Sequence, residues 1–404
     1  VGSEMCIRDR SSIEPEIPNA DTRLFSGVVI NELGIGISGV ELELSEGMDN
    51  VQSDENGTFG ILLPDDWSGT VTVSMEGHSM SPSSFAISTT DEGESGIVIQ
   101  SQRSSVLYVD ADAIGANDGS SWTNAYVELP EALLAKESFS EIWVAEGTYL
   151  AGSFRPASFL LPPNIPVYGG FVGNETLLSQ RNAELNPTIL SGDSGTAGIQ
   201  DDNSYHVVIP SEGSVLDGFT IRDGFADQNF ADDDRGIGAG LWADGASFVV
   251  RNCTFTESHA EQGGGGIYLK DAQGTFTNCI FSNLLTGETG SGAAAYLDNS
   301  TAIFSYCSFS SNDADYFGGA IRSDTSIIEI NDSNFTANRS ISSNGGGAIY
   351  LFQSQFSINS CFFSNNQATY QGGAIYSEES NGTLYKSTFM SNFSTQTNGG
   401  GALY

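Results

Sequence analysis

Positive charge is what this sequence has least of. Lys and Arg together number 14 against 51 Asp and Glu, a formal net charge of −37, and only Lys136, Lys270 and Lys386 are lysines. Nucleic acids and anionic membrane surfaces are held by clustered Lys and Arg. Neither is therefore an expected partner. Long apolar runs are also missing: no stretch of 18 apolar residues occurs, so no transmembrane helix is expected in this fragment. Charged residues make up only 16% of the chain and hydrophobic ones 39%, which excludes a disordered acidic tail. What is abundant is glycine, 48 residues, together with Ser, Thr and Asn. That composition points to many turns and short strands, and 404 residues suit two or three domains.

The ends stand apart from the rest. Residues 1–10, VGSEMCIRDR, lack the apolar core of a signal peptide and read as a translated adapter remnant; Cys6 goes with them. Residues 11–20 read as a linker. The final Gly399-Gly400-Gly401-Ala402-Leu403-Tyr404 stops inside a repeated motif, so C-terminal truncation is expected.

Residues 21–103 alternate short apolar runs with turn signals, the pattern of a β-sandwich. Strands are expected at Leu24–Ile30, Val40–Leu44, Thr58–Leu62, Thr70–Met75 and Gly96–Gln100, with an Asn56-Gly57 turn, where positive φ is easily adopted. The segments Gly39-Val40, Asp54-Glu55-Asn56-Gly57-Thr58-Phe59 and Trp67-Ser68-Gly69-Thr70-Val71 resemble carboxypeptidase-regulatory-like domains, which are transthyretin-like sandwiches. That resemblance implies a spacer or binding module. Trp67 reads as core filler rather than a ligand platform, and His78 as a turn residue.

Internal repetition decides the fold of residues 104–404. Leu241, Ile267, Ala295, Ile321, Ile349, Ile375 and Leu403 recur at spacings of 26, 28, 26, 28, 26 and 28. Phe255, Phe281, Phe309, Phe335, Phe363 and Phe389 keep the same rhythm. Inner columns run through Val250, Phe276, Phe304, Ile330, Ile358 and Leu384, and through Cys253, Cys279, Cys307, Ser333, Cys361 and Ser387. Each unit reads as three short strands and three corners, and no unit can bury its apolar face alone, so units must stack. The expected fold class is all-β: a right-handed parallel β-helix of about 26–28 residues per coil, preceded by a small β-sandwich domain. Residues 104–190 form an N-terminal cap, and the repeats fill 205–404. A helix over Leu129–Lys136 is expected to cover the open end of the first coil.

The paired motifs Gly-Gly-Ala-Ile and Phe-x-x-Asn, as in Phe309–Asn312 and Phe335–Asn338, resemble the repeats of polymorphic outer-membrane proteins. Ser258, Leu284 and Ala295 depart from that pattern. Tyr108-Val109-Asp110, Asp118–Trp122, Ile142–Tyr149 and Tyr168–Phe171 resemble the N-terminal part of secreted pectin-lyase-like proteins. These resemblances imply an extracellular or outer-surface bacterial protein. Pectin-lyase-like folds serve both adhesins and enzymes.

Function is harder to read. Trp242, Tyr268, Tyr296, Arg322, Tyr350 and Tyr376 follow the inward column by one residue and should point outward. Asp244, Lys270, Asp298, Asp324, Phe352 and Glu378 lie two further on. An aromatic stripe beside carboxylates suits sugar rings; the alternative is stacking between rungs for stability. Arg322 is expected over Tyr296 and Tyr350. Asp298 and Asp324, on adjacent rungs, are the candidate hydrolase pair. The interval from Phe219 to Leu241 is much longer than its counterparts, such as Phe255 to Ile267 or Phe281 to Ala295, marking an insertion at 225–236. Its Asp227, Asp232, Asp233 and Asp234 are candidate Ca²⁺ ligands, with a solvated acidic loop the alternative. The Cys column is read as small buried side chains rather than disulfides or a soft-metal site. Asn312, Asn338, Asn366 and Asn392 are read as a structural hydrogen-bonded ladder. The leading reading is a secreted scaffold or adhesin for a carbohydrate or other cell-surface ligand; a carbohydrate-active enzyme is the alternative.

Overall fold

A computed structural model describes residues 22–31, 34–45, 48–75, 78–103, 106–135, 139–228, 234–341, 345–395 and 400–404. The chain separates into two compact units, dividing between Ser104 and Ser105.

In the first unit two four-stranded sheets share one core. One holds Thr58–Pro64, Thr22–Ile30, Ser95–Arg103 and His78–Ser81; the other holds Val51–Gln52, Glu41–Leu44, Gly69–Ser74 and Ser84–Ile87. Strict alternation puts Phe59, Ile61 and Leu63 inside from one sheet and Val71 and Val73 from the other. Trp67 is buried in that core. The 54–58 turn is tied by Asp54, whose Oδ1 accepts from the Asn56 and Thr58 amides. Three strands go beyond the sequence reading, Val51–Gln52, His78–Ser81 and Ser84–Ile87. They are only two to four residues long, too short for an apolar period to announce them. His78 accordingly stands in a strand and not in a turn.

The second unit is a parallel β-helix whose longest ladder has ten strands. One coil shows the plan: Leu241–Asp244 lies in sheet I, Ser247–Arg251 in sheet II, Thr254–Thr256 in sheet III and His259–Ala260 in sheet IV. The coil therefore has four strands, not three. The fourth is two residues long, too short to show any period. Its inward position is small, Ala226, Ala260, Ala314 and Ala368, as the narrow turn of the coil demands. Within every sheet the pairing is parallel, and it is in register except for one shift between Trp143 and Ala145 in sheet II. The inward phenylalanines of sheet III consequently stack ring on ring, 4.5–5.0 Å apart and 3–7° from parallel. That column continues upward to Ile221, which pairs with Phe255; Phe219 takes the place above Cys253. The insertion thus begins one strand step later than expected, and its true interval runs from Ile221 to Leu241.

The helix spans Leu129–Leu133 and buries Leu129, Ala132 and Leu133. It packs on Val106–Val109, Gly147–Leu150 and Phe159–Leu160, the first strands of sheets II, III and I. It so covers the backbone edges of the first coil. Lys136 lies outside the described residues. No helix among the described residues is long and apolar enough to cross a membrane.

The corners repeat one device. Of the twenty non-glycine residues described with positive φ, eighteen sit at three corners of the coil. Examples on one coil are Asn299, Tyr306 and Ser311, with φ of 49°, 56° and 55°. At most of these corners the next residue is small and polar and accepts the amide of its counterpart one coil before; Gly224, Ala272 and Leu284, which lack an acceptor, only donate. At the first corner Ser300, Ser326, Ser354 and Ser380 form this ladder, at 2.9–3.1 Å. At the second, Ser333 and Ser387 accept from the amides of Cys307 and Cys361, while Cys thiols donate to carbonyls. At the third, the amides of Leu284, Asn312, Asn338 and Asn366 donate to Asn312, Asn338, Asn366 and Asn392 Oδ1 at 3.0–3.2 Å. Ser258, a departure from the Asn motif, does the same for Gly224. The serine ladder carries no spacing signal of its own in a Ser-rich chain, and the sequence reading does not contain it.

These ladders can be tested at two points. Asn338 accepts from Asn312 twice and donates to Phe309 O and Asn366 Oδ1. Asn338→Ala should cost about 1–3 kcal/mol for each buried group left unpaired and speed amide exchange at residue 312. Unchanged exchange and an unchanged denaturation midpoint would contradict the ladder. The cysteines Cys253, Cys279, Cys307 and Cys361 are buried and unpaired with one another. Burial pushes the Cys253 thiol up to about 12 and that of Cys361 up to about 11. Hydrogen bonding with Cys279 holds the Cys307 thiol below its usual value, so its protection rests on burial alone; all four should resist alkylation in the native protein at pH 8 and react after denaturation without reductant. A disulfide between Cys253 and Cys279 would contradict this.

Candidate functional site

On the outer face of sheet I the expected columns are in register. Trp242, Tyr268, Tyr296, Arg322, Tyr350 and Tyr376 pair directly down the sheet, as do Asp244, Lys270, Asp298, Asp324, Phe352 and Glu378. Exposure is where the expectation fails. Tyr268, Tyr350 and Tyr376 are only 8%, 4% and 8% exposed. The return segment between sheets IV and I folds over them. Gly264 and its counterparts, three residues before the inward column, take φ near 60°, and a Cβ on Gly264 would lie 3.0 Å from Tyr268 Cβ. Phe317, on such a segment, stacks on Tyr350 at 4.4 Å. The tyrosines are wedged between rung and return loop, and Tyr350 and Tyr376 stack at 5.2 Å. They do not form an open apolar patch.

The two columns are also joined to each other. Tyr268, Tyr296 and Tyr350 each donate a hydroxyl to the carboxylate one coil further on, Asp298 at 3.4 Å, Asp324 at 2.8 Å and Glu378 at 2.9 Å. Arg322 grips Asp324 through Nε–Oδ1 at 3.0 Å and Nη2–Oδ2 at 2.6 Å. Its guanidinium lies over Tyr296 at 4.7 Å and over Phe317 at 5.1 Å; Phe317 occupies the place expected for Tyr350. Asp298 and Asp324 therefore differ in kind. Both oxygens of Asp324 are engaged. The Asp298 carboxyl is pushed up by burial and by the neighbouring Asp324 charge.

The remaining candidates are tied locally. Asp227 is bound by Arg155 at 2.8 and 3.2 Å and by Gln228 at 2.9 Å. Burial raises its carboxyl, but these bonds and the Arg155 charge outweigh it and hold the group below its usual value. Asp227 is thus an ion-pair partner and not an open cation ligand. Asp234 begins a single 3₁₀ turn, Asp234–Gly236. Asp232 and Asp233 lie outside the described residues. Among the described residues no three His, Cys, Asp or Glu converge on one point. His259 lies 3.7 Å from Glu261, and Lys270 lies 3.7 Å from Asp244.

A groove that the sequence reading missed runs beside the second corner. Its cavity is about 510 Å³. Thr220, Thr254 and Ile280, on three successive rungs of sheet III, form the floor. Asn252 and Asn278 form one side, and residues 178–184 the wall. A signal existed: the whole segment 172–187 separates Pro166–Phe171 from Thr188–Ser191, where later coils have a short corner such as Asn252-Cys253.

Residues 235–404 match the family model described as "Right handed beta helix region". Among solved structures, the chain is similar to a pectate lyase, Pel9A, at 15% identity and a TM-score of 0.41, covering 73% of this chain and 78% of that one. It is also similar to the pectin methylesterase PemA from Erwinia chrysanthemi, at 11% identity and a TM-score of 0.37, covering 74% and 92%. No curated protein matches the sequence.

Two tests arise from the sheet I face. Tyr350→Ala should destabilise the protein by about 3 kcal/mol, in the range for large buried aromatics, whereas Tyr404→Ala, at a position 56% exposed, should be nearly silent. Equal midpoints for the two variants would contradict the wedged geometry. Asp298 has a folded pKa above its usual 3.8, so the folded state binds its proton more tightly than the unfolded one. Its contribution is favourable below pH 3.8 and is lost as pH rises through the folded value. Asp298→Asn should therefore raise the urea midpoint at pH 7 relative to the parent, and the gain should vanish near pH 3. A gain that persists at pH 3 would contradict the assignment.

Proposed function

We propose that the protein is a secreted or outer-surface β-helix scaffold that binds carbohydrate on a host or other cell surface without cleaving it. The observation that carries this reading is the state of Asp324. A retaining hydrolase needs a nucleophilic carboxylate free to attack, and both oxygens of Asp324 are occupied by Arg322 and Tyr296. The best acidic pair of the chain thus serves the sheet itself. A net charge of −37 also opposes polyuronate substrates. In this reading the repeats are of the polymorphic outer-membrane-protein type, and the first unit is a carboxypeptidase-regulatory-like spacer.

A second reading, a polysaccharide hydrolase, draws on one feature. Asp298 is pushed toward its neutral form beside an ion-paired carboxylate, which is how acid and base roles are divided between two carboxyls. One experiment separates the two. The purified chain is applied to a glycan array, and polysaccharides it retains are incubated with it and assayed for new reducing or unsaturated ends. Retention without new ends is expected. New ends that disappear in Asp298→Asn would replace the scaffold reading with the hydrolase.

A further inference from the structure

We infer that the groove beside the second corner binds a neutral oligosaccharide lying along the coil axis, with Tyr306 as a stacking platform at its end. The inference rests on the carbohydrate-binding reading above and gives it a site and a ligand class.

The groove is a built site. Its volume, about 510 Å³, falls in the usual range for small-ligand clefts. Its wall is held in place before any ligand arrives. Gln180 Oε1 accepts the Thr176 and Leu177 amides at 2.8 and 3.0 Å, and Asn182 Oδ1 accepts those of Glu184 and Leu185 at 3.1 Å. The Asn182 amide and Asn186 Nδ2 both donate to Gly170 O. A fixed wall spares the ordering entropy of binding.

The lining specifies an uncharged ligand. Arg181 is engaged by Asp217 at 2.8 Å and by the carbonyls of Gly169 and Asp217. No other lining residue among those described is a cation, while Glu184 stands on the wall. An anionic sugar would meet no counter-charge there and a net charge of −37 beyond. Hydroxyls and amides face the groove from Thr220, Thr254, Asn252 and Asn278, with Ile280 as an apolar floor. That mixture suits the hydroxyls and C–H faces of a pyranose.

Tyr306 is the independent observation. Asn252 Nδ2 donates to Asp217 and Asn278 Nδ2 donates to Asn252, and one coil further the same corner position is Tyr306. Other coils place Gly, Asn, Asp, Ser or Lys there. A bulky residue at φ 56° is disfavoured, and this ring is 64% exposed. Folding alone would favour a small polar residue, as at Ser360. A strained, displayed aromatic at the groove's end, where the amide ladder stops, points to a stacking role. Behind two of the floor rungs the inward rings of Phe255 and Phe281 stack 5.0 Å apart, close to one sugar unit of an extended chain.

The test uses the full chain and isothermal titration with cello-, xylo-, manno- and laminarihexaose, with hexagalacturonate as the anionic counterpart. Tyr306→Ser copies Ser360 of the same column. Thr254→Phe fills the groove with a residue already tolerated at Phe362, the same outward position on sheet III. Asn334→Phe, in that column but outside the groove, is the control. At least one neutral hexaose should bind, at least tenfold more weakly to Tyr306→Ser, immeasurably to Thr254→Phe and unchanged to Asn334→Phe. Binding that survives both groove changes would remove the site while leaving the carbohydrate reading intact. Retention on a glycan array with no hexaose bound would do the same. Equal or tighter binding of hexagalacturonate would overturn the neutral class. Failure of both the array and the titrations would overturn the inference together with the reading beneath it.

Discussion

Everything in the coil depends on turning the chain through sharp corners without leaving backbone amides unpaired. A left-handed residue makes each corner, and for a residue other than glycine that conformation costs on the order of 1 kcal/mol. The following small polar side chain offsets it by accepting an amide from the coil before, as Ser326 does for Ser300 and Asn338 for Asn312. The acceptor is on a different coil, so a corner is satisfied only when its neighbour is already in place. That is why the corners act as ladders and why no single coil is stable alone.

Register between coils then dictates the rest. Once corners are aligned, residues between them pair in register, and the Phe255 column has no choice but to stack face on face. Length differences are expelled to where no ladder is needed. The stretch from each sheet IV strand to the next sheet I strand absorbs the alternation between shorter and longer coils, as Ala260 to Ile267 and Thr286 to Ala295 show. The same return segments carry Gly264 and Phe317, which fold down on the tyrosines. The outer face of sheet I is thus closed by the part of the repeat that is freest to vary.

The columns of the coil were legible because their periods are set by register, and register leaves a mark once in every coil. Leu129, Ala132 and Leu133 were legible because one helical face must be apolar. What was not legible depends on φ angles or on very short elements. The burial of Tyr350 follows from how Gly318 turns the return segment that lays Phe317 on it, which spacing alone does not reveal. The two-residue strands of sheet IV have no period to read. Phe219 imitates the Phe column because it is apolar, although its neighbour Ile221 holds the inward place. The groove was hard to read because its wall replaces a corner between sheets II and III ahead of the regular repeats, so the length of 172–187 stands out only against later corners such as Asn252-Cys253.

A fold built this way constrains where chemistry can reside. Inward positions belong to the stack, and corner positions to the ladders. Tyr296 and Asp324 show that even an outward pair can be drawn into rung-to-rung bonding when a return segment covers it. Freedom remains at outward positions beside a long corner, because the extra chain is held by its own bonds and adds a wall without disturbing the ladder. Arg181 illustrates the coupling. It anchors that wall to Asp217, which also receives the Asn252 amide, so the side of the groove and the start of the corner column are fixed by one carboxylate. Tyr306 stands one coil beyond the end of that amide run, at a corner where strain is tolerated because Asn331 O still receives its backbone amide. The ladder keeps the corner in place whatever side chain is displayed there, and this lets an otherwise polar column carry a displayed aromatic.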